Sequence, residues 1–213
     1  MRAATGRRGT PPERAPNGFE GSEELTPFGD RPPLEIRDAV RAVMRSVVKT
    51  PALLATRRIH RPRAHVGDEV RFADGTSAVI YRETVIRRPP TRAPAVLVVA
   101  FRLRWVRGRG HAMFRAESLL NTPLFVGFPG LVSKLWLTHD AQGRYRGLYE
   151  WDDPTLADAY ARALWRVLSL VCPTSSIHYA VLPGLRRDDV LGGADHSLPG
   201  DAEWWRPGRV FSG

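Results

Sequence analysis

Residues 128–151 constrain the fold more than any other stretch of the chain. Pro129-Gly130 ends one element, and a strand-like run follows from Leu131 to Thr138. The loop His139–Arg144 holds Asp140 and Gly143, the residue types that a tight reversal needs. A second strand-like run occupies Tyr145–Trp151. Asp152-Asp153-Pro154 then supplies a helix start, with a capping Asp and a Pro at the first helical position, where the missing N–H costs nothing. Leu156, Ala159, Tyr160, Ala163, Leu164, Val167, Leu168 and Val171 fall on one helical stripe after it.

The complementary half lies upstream. Ala95–Trp105 is a β-branched and aromatic run, and His111–Leu120 reads as a helix that Asn121-Thr122-Pro123 breaks. After the second helix, Cys172-Pro173-Thr174-Ser175 is a turn and Ser176–Leu182 a last strand. The order β-α-β-β-α-β predicts an α+β fold, a ferredoxin-like antiparallel sheet with two helices on one face, over residues 93–190. Such a sheet leaves its other face wet, so a homodimer burying that face is expected.

Residues 34–92 read as an extension. Leu34–Val48 is a helix with Ile36, Val40, Val43, Met44 and Val47 as its apolar stripe, and Thr50-Pro51 ends it. Val66–Ala73 and Ser77–Arg87 alternate around Asp74-Gly75, a hairpin signal. Residues 1–33, rich in Gly, Pro, Arg and Glu without periodicity, read as disordered and dispensable to the core. Residues 191–213 read as a tail whose Trp204, Trp205 and Phe211 need a surface to cover.

The net charge of +10 is uneven: residues 1–92 hold 18 basic against 11 acidic side chains, and residues 93–213 hold 14 against 11. The densest cluster, Arg57–Arg63, has no interleaved aromatics to stack on bases, so it reads as a solvated surface and nucleic acid is not an expected partner. One cysteine, Cys172, rules out an internal disulfide, and no apolar run is long enough to span a bilayer. Cytoplasmic location is the expectation.

Recognisable catalytic motifs are absent. Gly108-Arg109-Gly110 lacks the spacing of a dinucleotide loop, six histidines show no metal-ligand spacing, and no nucleophile elbow occurs. No cofactor is expected. The candidates are polar residues inside apolar elements. Lys134 is one of two lysines in a chain that otherwise uses Arg, and it either holds an anionic substrate or guards an edge strand. His111 and Glu150 complete the catalytic set, since either can move a proton. Trp136, Tyr149, Asn121, Arg102 and His178 form the substrate-binding set. Tyr149 and Glu150 must point to opposite faces, and the hairpin register decides which one meets the helices.

Phe128-Pro-Gly-Leu, Ser133-Lys134-Leu-Trp136, Arg146-Gly147-Leu-Tyr149-Glu-Trp151 and Ala157…Ala159-Tyr160 resemble, in the same order, a series found in the YdhR-like monooxygenase family of the dimeric α/β-barrel superfamily. The resemblance covers roughly 90 residues, and by the size of a typical domain that is one compact unit. It implies a dimeric α/β barrel with a site between sheet and helices, and oxygen chemistry without metal or flavin. The expectation is a small cofactor-independent enzyme of secondary metabolism. It would act on an aromatic or polyketide-like small molecule, as a monooxygenase or as a cyclase or isomerase. The alternative is a non-catalytic small-molecule-binding or interaction protein. Haem binding with degradation is a third reading, which only His111 and Trp136 support.

Overall fold

Alternation and helical period lay down nine strands and four helices in the computed structural model, which describes residues 28–89, 93–104, 123–192 and 203–212. The strands are β1 (Phe28–Gly29), β2 (Ile59–His60), β3 (Glu69–Phe72), β4 (Ser77–Ile86), β5 (Ala95–Arg102), β6 (Leu131–Leu137), β7 (Arg144–Trp151), β8 (His178–Pro183) and β9 (Pro207–Phe211). The helices are α1 (Ile36–Ala55), α2 (Pro123–Val126), α3 (Pro154–Leu168) and α4 (Arg187–Leu191). His111 and Asn121, with the first helix expected around them, lie outside the described residues.

All pairings are antiparallel, and the sheet runs β1-β8-β5-β7-β6-β4-β3-β9 with β2 against β4. Within it, β8-β5-β7-β6 lie in the order fourth, first, third, second. The hairpin β6–β7 forms as its loop chemistry dictates: Asp140 accepts from the backbone N–H groups of Gln142 and Arg144, and Gly143 takes φ +75°. The start of α3 is equally local. Asp153 accepts from Thr155 N at 2.7 Å and from Leu156 N at 3.3 Å, a cap worth about 1 kcal/mol. The Thr155 hydroxyl, which donates to the same Asp153 Oδ1, and then those backbone N–H groups hold the Asp153 carboxyl below its ordinary pKa.

The sheet buries both faces within one chain. On the helix face Leu97, Val99, Tyr149 and Trp151 pack against Phe125 of α2 and Ala157, Tyr160 and Ala161 of α3. On the other face Val96, Val98, Leu135, Leu137, Leu148, Ala180 and Leu182 are covered by Val70 and Phe72 of β3, Val190 and Leu191 of α4, and Trp205. The curl of the sheet brings β3 across, and β9 pairs with β3. The open sheet face from which a homodimer was expected is therefore covered by this chain's own hairpin and tail. Likewise β6, expected at an edge, is an interior strand paired with β4 on one side and β7 on the other.

Three further expectations are corrected. Residues 28–33 are docked on the sheet edge: β1 pairs with β8, Asp30 Oδ1 accepts from Tyr179 N at 2.9 Å, and Arg162 donates to the carbonyl of Pro32, as Arg166 does to that of Leu34 just beyond. The first helix runs through Pro51 to Ala55, and the Thr50 hydroxyl donates back to Ser46 O in the same turn. Its buried positions are Ala39, Ser46 and Thr50, whereas Ile36, Val40, Met44 and Val48 are 55–73% exposed. Close approach decides that face. Gly127 lies so near α1 that a Cβ there would sit 2.0 Å from Ser46 O, so small residues must face inward.

Candidate functional site

Strand alternation and register place one row of side chains across the helix face of the sheet. Thr84 of β4 stands opposite Lys134 of β6, and Lys134 opposite Tyr149 of β7. The next rung holds Arg82, Trp136 and Gly147. Directly opposite residues in a sheet share a face with Cβ atoms about 5 Å apart, so these six positions form one patch. A bulge between Ile80 and Arg82 adds Tyr81, whose ring centroid is 6.5 Å from that of Trp136. Gly147 makes the patch possible, because a Cβ there would lie 2.9 Å from the Tyr149 ring, which folds back over it.

Lys134 sits at the centre. It is 5% exposed, and its Nζ lies 3.2 Å from the Trp136 ring centroid, 4.2 Å from that of Phe125 and 4.6 Å from that of Tyr149. Among the described residues no carboxylate is paired with it. Burial, and then the charge of Arg82, hold its pKa well below the ordinary lysine value. The ring faces offset part of this cost, about 2 kcal/mol each at most when desolvated, while removing an ion from water costs several kcal/mol. The Arg82 guanidinium shares the same indole, 4.6 Å from its centroid, and is pushed down to about 10 by burial and the neighbouring Arg61.

The surrounding wall is aromatic. Phe125 meets Trp136 edge-on at 5.2 Å, and Tyr160 contacts Phe128, Tyr149 and Trp151 at 4.9–5.4 Å between centroids. Burial pushes the phenols of Tyr149 and Tyr160 up, so both keep their protons. Among the described residues the buried Thr84 hydroxyl and Trp136 indole N–H have no hydrogen-bond partner, a costly arrangement in a protein interior. A flat organic molecule with a polar edge would meet ring faces, an amine and two unsatisfied polar atoms here.

The other sequence candidates stand elsewhere. Glu150 points to the opposite face, as Tyr149 takes the helix side. It is buried beside Arg186 at 3.6 Å, and burial raises its carboxyl pKa against the pull of Arg187 and Arg186. Its neighbour Glu83 is bound by Arg187 at 2.6 Å, so this cluster ties α4 to the sheet. Glu150 cannot act on a group that Lys134 touches. His178 is a surface residue paired with Asp30 at 3.0 Å and does not face the site. Arg102, at the exposed end of β5, donates to Gln142 Oε1 at 3.4 Å and is likewise remote from the row. Of the expected set, Lys134, Trp136 and Tyr149 come together. Arg82, Thr84 and Phe125 were missed, and Tyr160 read only as core. The alternation of β4 was the available signal for Arg82 and Thr84, but it needed the pairing of β4 with β6.

The fold and site together define an α+β protein with a curled antiparallel sheet and an aromatic patch around a buried lysine. Among the described residues no helix is long and apolar enough to cross a membrane, and no cluster of His, Cys, Asp or Glu could hold a metal ion. No family model and no curated protein matches the chain. Among solved structures it is similar to an uncharacterized ferredoxin fold protein related to antibiotic biosynthesis monooxygenases, from Listeria monocytogenes. The TM-score is 0.39 at 11% identity, over 53% of this chain and 66% of that one, so the chain spans slightly less than two thirds of that neighbour. It is also similar to a major regulator of staphylococcal pathogenesis, with a TM-score of 0.38 at 10% identity over 75% and 98% of the two chains.

Proposed function

We propose that the chain is a small cofactor-independent enzyme, related to the YdhR-like monooxygenases and built on a ferredoxin-like four-stranded unit. It acts on a flat aromatic or polyketide-like carbonyl compound at the Lys134 patch. Oxygenation and cyclisation or isomerisation share one requirement, a carbonyl substrate activated next to its reacting carbon, and Lys134 is the group placed to do that. The observation that carries the reading is this lysine, enclosed by three aromatic rings and, among the described residues, paired with no carboxylate. Titratable groups perturbed by burial and a specific charged neighbour cluster at functional sites.

Anthrone, an enolisable tricyclic ketone, tests the reading. Saturable quenching of tryptophan fluorescence and conversion with dioxygen uptake are expected, with turnover falling about tenfold to a thousandfold in Lys134→Met, the range for loss of one stabilising donor. Saturable binding without conversion of anthrone or of an open-chain aromatic polyketone would establish the non-catalytic binding reading instead. Absence of binding would reject both.

A further inference from the structure

We propose that Lys134 is a nucleophile that forms an imine with the substrate carbonyl, and that the substrate is an aromatic aldehyde or ketone carrying a carboxylate. The inference rests on the reading above and deepens it. A lysine retained to support a fold meets a carboxylate or carbonyl oxygen; among the described residues Lys134 meets the faces of Phe125, Trp136 and Tyr149. Two devices keep a lysine amine unprotonated and nucleophilic at neutral pH, an apolar enclosure and an adjacent cation. Both are present here, the second supplied by Arg82 on the same indole. The lowered proton affinity of Lys134 has those two causes in that order.

The amine lone pair attacks the carbonyl carbon, forming the C–N bond while the C=O π pair moves to oxygen. That oxygen takes the proton that nitrogen releases, giving a carbinolamine. The hydroxyl then leaves as water with a proton taken from solvent, and the nitrogen lone pair closes the C=N bond while the nitrogen keeps its remaining hydrogen, giving the protonated imine. No oxidant or reductant is consumed. The carbinolamine hydroxyl needs hydrogen-bond partners in a buried place, and Thr84 Oγ1 directly across from Lys134, with Trp136 Nε1, are the unsatisfied atoms there. The protonated imine withdraws electrons from the adjacent carbon, which is what enolisation-dependent chemistry requires. The carboxylate follows from charge. The Arg82 guanidinium lies over the same Trp136 ring as the amine, a second positive charge beside it.

Incubation of the full chain with 4-carboxybenzaldehyde or its methyl ester and cyanoborohydride at pH 7, followed by peptide mapping, tests this. The chain contains two lysines, and exposed Lys49 is the internal reference. Labelling of Lys134 about tenfold or more above Lys49 is expected, since each unit of pKa difference is tenfold in free amine. The acid should label faster than the ester, and Arg82→Gln should abolish that preference. Probe binding seen by fluorescence with no label at Lys134, or with equal labelling of both lysines, overturns the imine and leaves the enzyme reading standing. Equal rates for acid and ester overturn the carboxylate. Neither binding nor labelling overturns the imine and the enzyme reading together.

Discussion

Arg146 Nη1 donates to Asp140 Oδ2 at 2.8 Å, and both side chains are fully buried. The same guanidinium donates through Nη2 to Asp74 at 2.7 Å and through Nε to the carbonyl of Trp204 at 3.0 Å, over the ring of Phe72. One side chain on β7 thus joins the turns of both hairpins to the C-terminal tail. Its burial cost is met by two carboxylates, as a buried cation requires.

Arg146→Met leaves Asp140 buried and unpaired. A loss of about 3–5 kcal/mol is expected, the usual penalty for breaking one side of a buried pair. Urea unfolding measures it, and the double variant Arg146→Met/Asp140→Leu should recover part of the loss. A single variant within 1 kcal/mol of wild type, the size of a surface ion pair, would show that the clamp does not bind the layers.

Lys134→Met should stabilise the fold at neutral pH, because an isolated buried amine is replaced by an apolar chain of similar length. On the order of 2 kcal/mol is expected, which is about 4–8 °C for a chain of this size. The pH dependence has a definite sign. The folded pKa of Lys134 is depressed, so between that value and the unfolded lysine value the unfolded state binds more protons. Wild-type stability relative to the variant should therefore rise as pH rises through that window. Thermal melts of both proteins across neutral to alkaline pH check this, and a difference that is flat or falls with pH would refute it.

Removal of residues 1–33 should lower the thermal midpoint by about 3–8 °C. The lost contacts are the β1–β8 pairing and the hydrogen bonds that Asp30 Oδ1 accepts from Tyr179 N and Pro32 O accepts from Arg162, together on the order of 1–2 kcal/mol. Asp30→Ala alone should account for a third or more of the change. No shift in either variant would return this segment to the dispensable class.

Because the far sheet face is covered in cis, sedimentation at micromolar concentration should give the mass of one chain, 23.8 kDa. A dimer would have to use another surface. The exposed apolar stripe Ile36, Val40, Met44 and Val48 on α1 is the one a Met44→Glu variant would disrupt. A dimer that survives Met44→Glu would overturn the monomer expectation and exclude the α1 stripe as its interface.

Local chemistry made much of this fold legible. The Asp140/Gly143 and Asp74/Gly75 turns, the Asp153-Pro154 helix start and the period of α3 are each determined by residues within a few positions of one another, so sequence alone settles them. Lys134 was legible too, as a lone lysine in a strand of an arginine-rich chain. What touches it was not. Register decided that Tyr149 faces the helices and Glu150 does not, and that Thr84 and Arg82 join Lys134 from a strand some fifty residues away. The same holds for the stripe on α1, where close packing against Gly127 turned small residues inward and left larger apolar ones in solvent. Side-chain direction follows from local backbone geometry, but the face that meets a neighbour depends on pairings between distant segments. Those pairings form through long-range burial that no short stretch of sequence encodes.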